Sequence, residues 1–175
     1  MYFGSSANYL IKINNVPKNI IKNGDKDSSI ISYFKENIVA EMIRRKSFKT
    51  VIANENPIDI NYLRDSITND SKNTLLLKDK LNNCTADLVL FVFDVIIDTS
   101  FTNSYWQDVS VTVTSLNFNY KFIFWNNKSK QIISYGNLIS ESANGYEGLN
   151  SRNWKNIIKT IVADLLRKLN NPKQG

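Results

Sequence analysis

The chain has 175 residues, a length that suits one globular domain, and its 42% hydrophobic and 22% charged residues exclude wholesale disorder. It contains no histidine and one cysteine, Cys84, which excludes a Ser-His-Asp triad, a Cys-His dyad, an intramolecular disulfide and any zinc site of imidazoles or paired thiolates. The net charge of +6 suits an anionic partner, but Asn, Ile and Lys fill 63 of the 175 positions. All three have AT-rich codons, so part of the lysine count records base composition.

The first predicted strand is Tyr9–Ile13, closed by Val16-Pro17. Asn23-Gly24 signals a turn. A helix then starts near Asp27 or Ser28, both good N-caps. Its stripe is Ile31, Phe34, Ile38 and Met42, widened by Ile30 and Val39. A short strand is expected over Phe48–Ala53, and Asn56-Pro57 breaks the chain. Two short helical stretches follow, at about 58–67 and 71–81.

Leu88 to Ile97 reads as a central strand. One face (Val89, Phe91, Phe93, Val95, Ile97) is wholly apolar, and the other is apolar through Val92 and then acidic at Asp94 and Asp98. A polar loop from Thr99 to Gln107 carries Tyr105 and Trp106. In the next strand Val109, Val111 and Val113 face one way. Leu116, Phe118, Tyr120, Phe122 and Phe124 continue on the opposite parity, which predicts a β-bulge near Thr114-Ser115. Asn126 to Ser129 is a hairpin turn. Gln131 to Ser140 returns, with Ile133, Tyr135 and Ile139 on one face. The last helix is the clearest element: Trp154, Ile157, Ile158, Ile161, Val162, Leu165, Leu166 and Leu169 recur at i, i+3, i+4.

The order β-α-β-α-β-β-β-α predicts an α+β two-layer sandwich, a mixed sheet of about five strands with helices packed on one face. Residues 1–175 form one domain, with an ordered core at about 9–170 and flexible tails at 1–8 and 171–175. The longest apolar run, Leu88–Phe93, is strand-sized and does not span a bilayer. The first residues carry no basic n-region and no hydrophobic h-region.

No constellation argues for catalysis. Asp94 and Asp98, four residues apart on one strand, stand about 13 Å apart, too far for a glycosidase pair. Asp25, Asp27, Ser29 and Glu36 imitate a calcium loop, but its glycine position is Ile30. Gly145-Tyr146-Glu147-Gly148 carries an acid where a phosphate would lie. Arg44, Arg45, Lys46 and Lys49 form the best anion patch, read as a helix end. Ser151 or Asn153 suits a helix cap, and Cys84 reads as a small, partly buried hydrophobe. Tyr105 and Trp106 either fold back on the sheet edge or anchor a partner, since Trp and Tyr dominate interface hot spots.

Several segments together carry a resemblance. They are Ser29 to Phe34 with Ile38 to Ile43, Phe48 to Ile52, and Ala86-Asp87-Leu88-Val89-Leu90. The hairpin arms Tyr120 to Trp125 and Gln131 to Gly136 and the closing amphipathic helix complete the pattern. It resembles the α/β domains of bacterial envelope lipoproteins: the curli-secretion lipoprotein, the penicillin-binding-protein activators and the N-terminal domain of the Tol translocation protein. Their hairpin turn carries a glycine, whereas here it reads Trp125-Asn126-Asn127-Lys128-Ser129-Lys130.

The resemblance implies a non-catalytic, cofactor-free soluble domain of a lipid-anchored lipoprotein in the periplasm or outer membrane. It implies a protein-binding scaffold or assembly component whose partner is another envelope protein or a second copy, with membrane contact only through the anchor. Tyr105 and Trp106 are the expected contact residues. The alternative is a cytoplasmic, basic nucleic-acid-binding domain with exposed aromatics such as Trp125.

Overall fold

Long stretches of β-branched and aromatic residues in the second half of the chain build a sheet, and the three amphipathic segments cover it. The structure, a computed structural model, describes residues 1–4, 9–14, 16–22, 24–45, 48–54, 58–68, 77–106, 109–142 and 149–171. In chain order the elements are β1 (Tyr2–Gly4), β2 (Tyr9–Ile11), α1 (Lys26–Arg44), β3 (Ile52–Asn54), α2 (Ile60–Thr68), β4 (Leu88–Trp106), β5 (Val109–Asn126), β6 (Gln131–Ser142) and α3 (Ser151–Asn170). The α+β class holds, with α1 and α3 as the expected helix layer on the sheet.

The sheet is mixed and has six strands in the order β3-β1-β4-β5-β6, with β2 also on β4. β1 and β2 both run parallel to β4, at Val89–Phe91 and Val95–Ile97. β4, β5 and β6 form an antiparallel meander. The strand beyond the expected five is β1. Residues 2–4, placed by sequence in a flexible tail, instead pair with both β3 and β4. Three residues with little periodicity give no pattern to read, and the sheet supplies the reason for their conformation.

Helices α1 and α3 form the main cover. Ile30, Phe34, Ile38 and Met42 of α1 and Trp154, Ile157, Ile161, Val162 and Leu165 of α3 meet Leu90, Val92, Phe118, Tyr120, Phe122 and Phe124. Phe34 lies 4.7 Å from the Phe118 ring and 5.6 Å from Trp154. Each such side chain contributes about 1.5–3 kcal/mol on burial. The cap of α1 lies two residues before Asp27, the nearer of the two expected caps, because Asp25 accepts from the Asp27 and Ser28 amides. α3 is capped by Asn150, with Asn153 reaching back to the Asn150 amide in a reciprocal box. Strand β6 turns small residues toward α3. One of them, Ser140, donates to Asp164 of that helix at 2.7 Å.

The helices do not all lie on one face. Ile58, Leu63 of α2, Leu77 and Leu81 cover Val89, Phe91, Phe93, Ile123 and Trp125 on the opposite side. The first half of β4 is apolar on both faces, and a strand of that composition needs a second cover. Of the helical stretch expected at 71–81, residues 77–80 are helical and 71–76 lie outside the described residues.

The phase of β4 flips at Asp94. Phe93 pairs with Lys121 and Ile96 with Asn119, so Asp94 and Val95 together oppose Tyr120. Asp94 takes φ 50° to make this bulge. Val95 and Ile97 therefore join the α1–α3 side instead of continuing the face of Phe93. The bulge expected near Thr114-Ser115 is absent: those residues pair with Phe101 and Ser100 in continuous register. Val111 and Val113 set a false phase because they join neither core cluster of the described residues. A second irregularity lies at Phe124/Trp125, where Ile133 is extra. It turns Ile133 to the α1–α3 side while Tyr135 stays on the other, so the two do not share a face as expected.

Candidate functional site

Strand β4 does not end at Ile97. The segment from Thr99, expected as a polar loop, continues as strand to Trp106 and pairs with β5 rung by rung. Ser, Thr, Val and aromatic residues suit a pleated ladder, and polarity alone does not make a loop. Among the described residues β2 leaves β4 at Ile97, and β6 leaves β5 at Leu116. Beyond them, from Ser100↔Ser115 to Trp106↔Val109, the two strands pair with each other and, among the described residues, with no other strand. They form a two-stranded arm roughly 20 Å long at about 3.4 Å per residue.

Among the described residues this arm carries the most exposed rings. Phe101 is 69% and Tyr105 is 80% exposed. Four residues apart on one strand, they share a face at about 13 Å. Between them Thr112 of β5 donates its hydroxyl to the Asn103 side-chain carbonyl at 2.9 Å, tying the strands on that same face. Val111 and Val113 are half-buried on the other. Residues 99–106 and 109–116 contain no Lys, Arg, Asp, Glu or Pro.

Tyr105 thus stands free of the sheet edge, on a strand rather than in a loop. Trp106 closes the strand opposite Val109; its side chain lies outside the described residues. Phe101 was missed by sequence reading. Its signal was there, at the same parity as Tyr105, but a segment read as loop is assigned no face.

The acid singled out on β4 is occupied. Asp94 accepts from Arg64 of α2, with Nε at 3.0 Å, and from Lys121 of β5, with Nζ at 2.9 Å. The Arg64 guanidinium, and then the Lys121 ammonium, hold its carboxyl below the usual carboxylate range against the opposing effect of burial. The cluster ties α2 to the sheet beside the bulge.

Glu41 plays the same part for α1. It accepts from Arg44 Nε at 2.6 Å and Arg45 Nε at 2.8 Å. Those bonds, Arg44's first, bring its carboxyl down to about 2. Arg45 also donates to the Lys159 carbonyl of α3 at 3.0 Å. Two members of the predicted anion patch are therefore shared with a carboxylate; Lys49 is exposed and Lys46 lies outside the described residues.

The calcium-loop imitation is resolved as a helix start. Asp25 is the cap, Asp27 and Glu36 ride on α1, and the Ser29 hydroxyl donates to the Lys22 and Asp25 carbonyls. Gly145 to Gly148 lie outside the described residues. Cys84 is half-buried against the α2-side core, as expected, and its carbonyl accepts from Asn127 at 2.6 Å. Trp125, taken as exposed in the nucleic-acid reading, is fully buried in that core. Its hairpin position marks the rim of the sheet in sequence, but α2 and the segment around Leu81 cover it.

No protein-family model and no curated protein matches the chain. Solved structures do. A neuraminyllactose-binding hemagglutinin homolog from Helicobacter pylori is 14% identical, with a TM-score of 0.44, over 96% of this chain and 81% of that one. A hypothetical protein from Chlamydia trachomatis is 11% identical, with a TM-score of 0.40, over 97% and 91%. A minor lipoprotein from Acinetobacter baumannii is 10% identical, with a TM-score of 0.38, over 97% and 92%.

Proposed function

We propose that this chain is a non-catalytic domain of a bacterial cell-envelope lipoprotein that binds another protein through the β4–β5 arm. The arm carries the reading. An isolated two-stranded ribbon is marginal in water, and an uncharged edge whose backbone donors and acceptors meet no further strand among the described residues invites another strand. Natural edges are usually blunted by lysine or proline, and here neither is present in either strand of the arm. Strand addition along that edge supplies main-chain hydrogen bonds. Phe101 and Tyr105 supply the desolvated contact that sets affinity. The ionised Asp94 is committed to Arg64 and Lys121, which supports a positioning role for that acid over acid–base work.

The test places a photo-crosslinking phenylalanine analogue at position 105 in the producing cell. One discrete adduct is expected, mapping to an extended segment of its partner, and Phe101→Ser is expected to abolish it. The same adduct from a control at position 18, or none from 105, overturns the docking reading. The envelope assignment is tested with the full-length gene product: lipid labelling and sedimentation with membranes support it, and an unlabelled cytosolic product overturns it.

A further inference from the structure

The charge of this molecule is not spread evenly. Helix α3 alone holds Arg152, Lys155, Lys159, Arg167 and Lys168 against Asp164, a net +4 beside +6 for the whole chain. Helix α1 is balanced, with three cations and three carboxylates. Within α3, Arg167 is spent on Asp164 at 2.9 Å. Arg152, Lys155 and Lys159 are exposed, and among the described residues no carboxylate stands within ion-pair distance of them. Spaced three and four residues apart, they form one ridge over about 10 Å of helix. At its end, Arg45, the C-cap of α1, reaches the Lys159 carbonyl, with Arg44 beside it.

We propose that this ridge is a docking surface for an anionic lipid bilayer. The ridge is on the exposed flank of a helix whose apolar face is already consumed. Trp154, Ile157, Ile158, Ile161, Val162 and Leu165 are all buried against the sheet and α1. α3 has no large apolar side chain among the exposed ones, so its contact is electrostatic and peripheral, with the cations at headgroup level. A nucleic acid fits less well. The major groove is about 12 Å wide and admits one helix, whereas α1 lies against α3, with Tyr33 5.7 Å from Trp154, making a layer of two. Single strands are held by aromatic platforms, and the only ring on α3, Trp154, is fully buried.

Cosedimentation with vesicles of phosphatidylglycerol and phosphatidylcholine tests it. Binding is expected to anionic vesicles and not to pure phosphatidylcholine, and to disappear as salt rises from about 0.05 to 0.3 M, where the screening length shrinks below 10 Å. Each lost cation lowers partition about fivefold, so the combined Arg152→Gln, Lys155→Gln, Lys159→Gln variant should lose on the order of a hundredfold. The combined Lys12→Gln, Lys18→Gln, Lys78→Gln variant, of equal net charge, should bind like the parent. Equal losses in both variants reduce the effect to net charge and overturn the site. Tighter binding to a short DNA duplex at equal phosphate concentration overturns the choice of partner. Tyr105→Ser should leave vesicle binding intact, since the ridge and the arm are separate surfaces.

Discussion

The same two strands pass through two environments. Below the bulge at Asp94, β4 and β5 are covered on both sides: Leu90, Phe91, Phe93, Phe122, Phe124 and Trp125 are fully buried. Above Ile97 the ladder continues without a break in register, yet Phe101 and Tyr105 stand mostly in water. Residue type does not separate the halves, since both contain aromatic and β-branched side chains. What separates them is cover, and cover comes from elements far away in sequence. The lower half holds the molecule together. The upper half is held out from it.

The sharpest break in that comparison is a matched pair of truncations on β4. Phe91→Ala should cost about 3–5 kcal/mol by urea denaturation, as for a fully buried ring. Phe101→Ala, ten residues along the same strand, should stay within about 0.5 kcal/mol. Similar losses at both sites would show that the arm is packed in solution.

The junction between the halves is tested at Asp94. Asn tolerates the left-handed backbone that the bulge requires, so Asp94→Asn removes charge while sparing geometry. It leaves Arg64 and Lys121 facing each other without their shared carboxylate. A loss of about 2 kcal/mol is expected, as for hydrogen bonds to a charged group, and amide exchange should quicken first in α2. An unchanged α2 would mean that Leu63 and its neighbours hold that helix without the ion cluster.

A smaller effect is expected at Glu41, where α1 joins α3. Its carboxyl lies near 2 in the folded chain, against 4.5 as a free side chain. A depressed value means that the stabilisation is fully present above about pH 4.5 and is lost as pH falls toward 2. Arg44 is well exposed, so solvent screening trims the gain to about 1 kcal/mol. Glu41→Gln should flatten the pH dependence of the unfolding midpoint between pH 4.5 and 2. It should leave the arm's exchange rates alone, because Glu41's partners, Arg44 and Arg45, are not on the arm.

How far the sequence discloses all this follows the same division. α1 and α3 are legible because a single buried stripe at 3.6-residue spacing has one reading; Phe34, Ile38, Met42 and the Trp154–Leu165 series all lie where the period puts them. The two-layer class follows from those stripes. The bulge was misplaced because parity tells which side chains align, not which side is covered: Val111 and Val113 looked like a core face and line the arm. Tyr105 is conspicuous in sequence as a large ring among polar neighbours, and its ring is 80% exposed. Phe101 was not, since it needed the strand that a Ser- and Thr-rich segment conceals. The basic ridge was hidden by the very amphipathicity that makes α3 easy to find, for its lysines read as the ordinary wet side of a helix. Only the count of charges per element separates α3 from α1.

The smallest effect on folding is expected where the effect on function is greatest. Tyr105→Ser removes a ring that is 80% exposed, so the unfolding midpoint should shift by less than about 0.5 kcal/mol, while the partner adduct of a crosslinking analogue moved to position 101 should be lost. Val113→Lys asks the complementary question about the edge instead of the ring. A lysine on an edge strand discourages further pairing while leaving the existing ladder in place, so the variant should fold, keep the Thr112–Asn103 bond and lose its partner. If Tyr105→Ser costs more than about 1 kcal/mol, the ring is packed and the arm is not free. If both variants fold normally and still form the adduct, binding runs through some other surface, and the uncharged ladder above Ile97 must be explained without a partner.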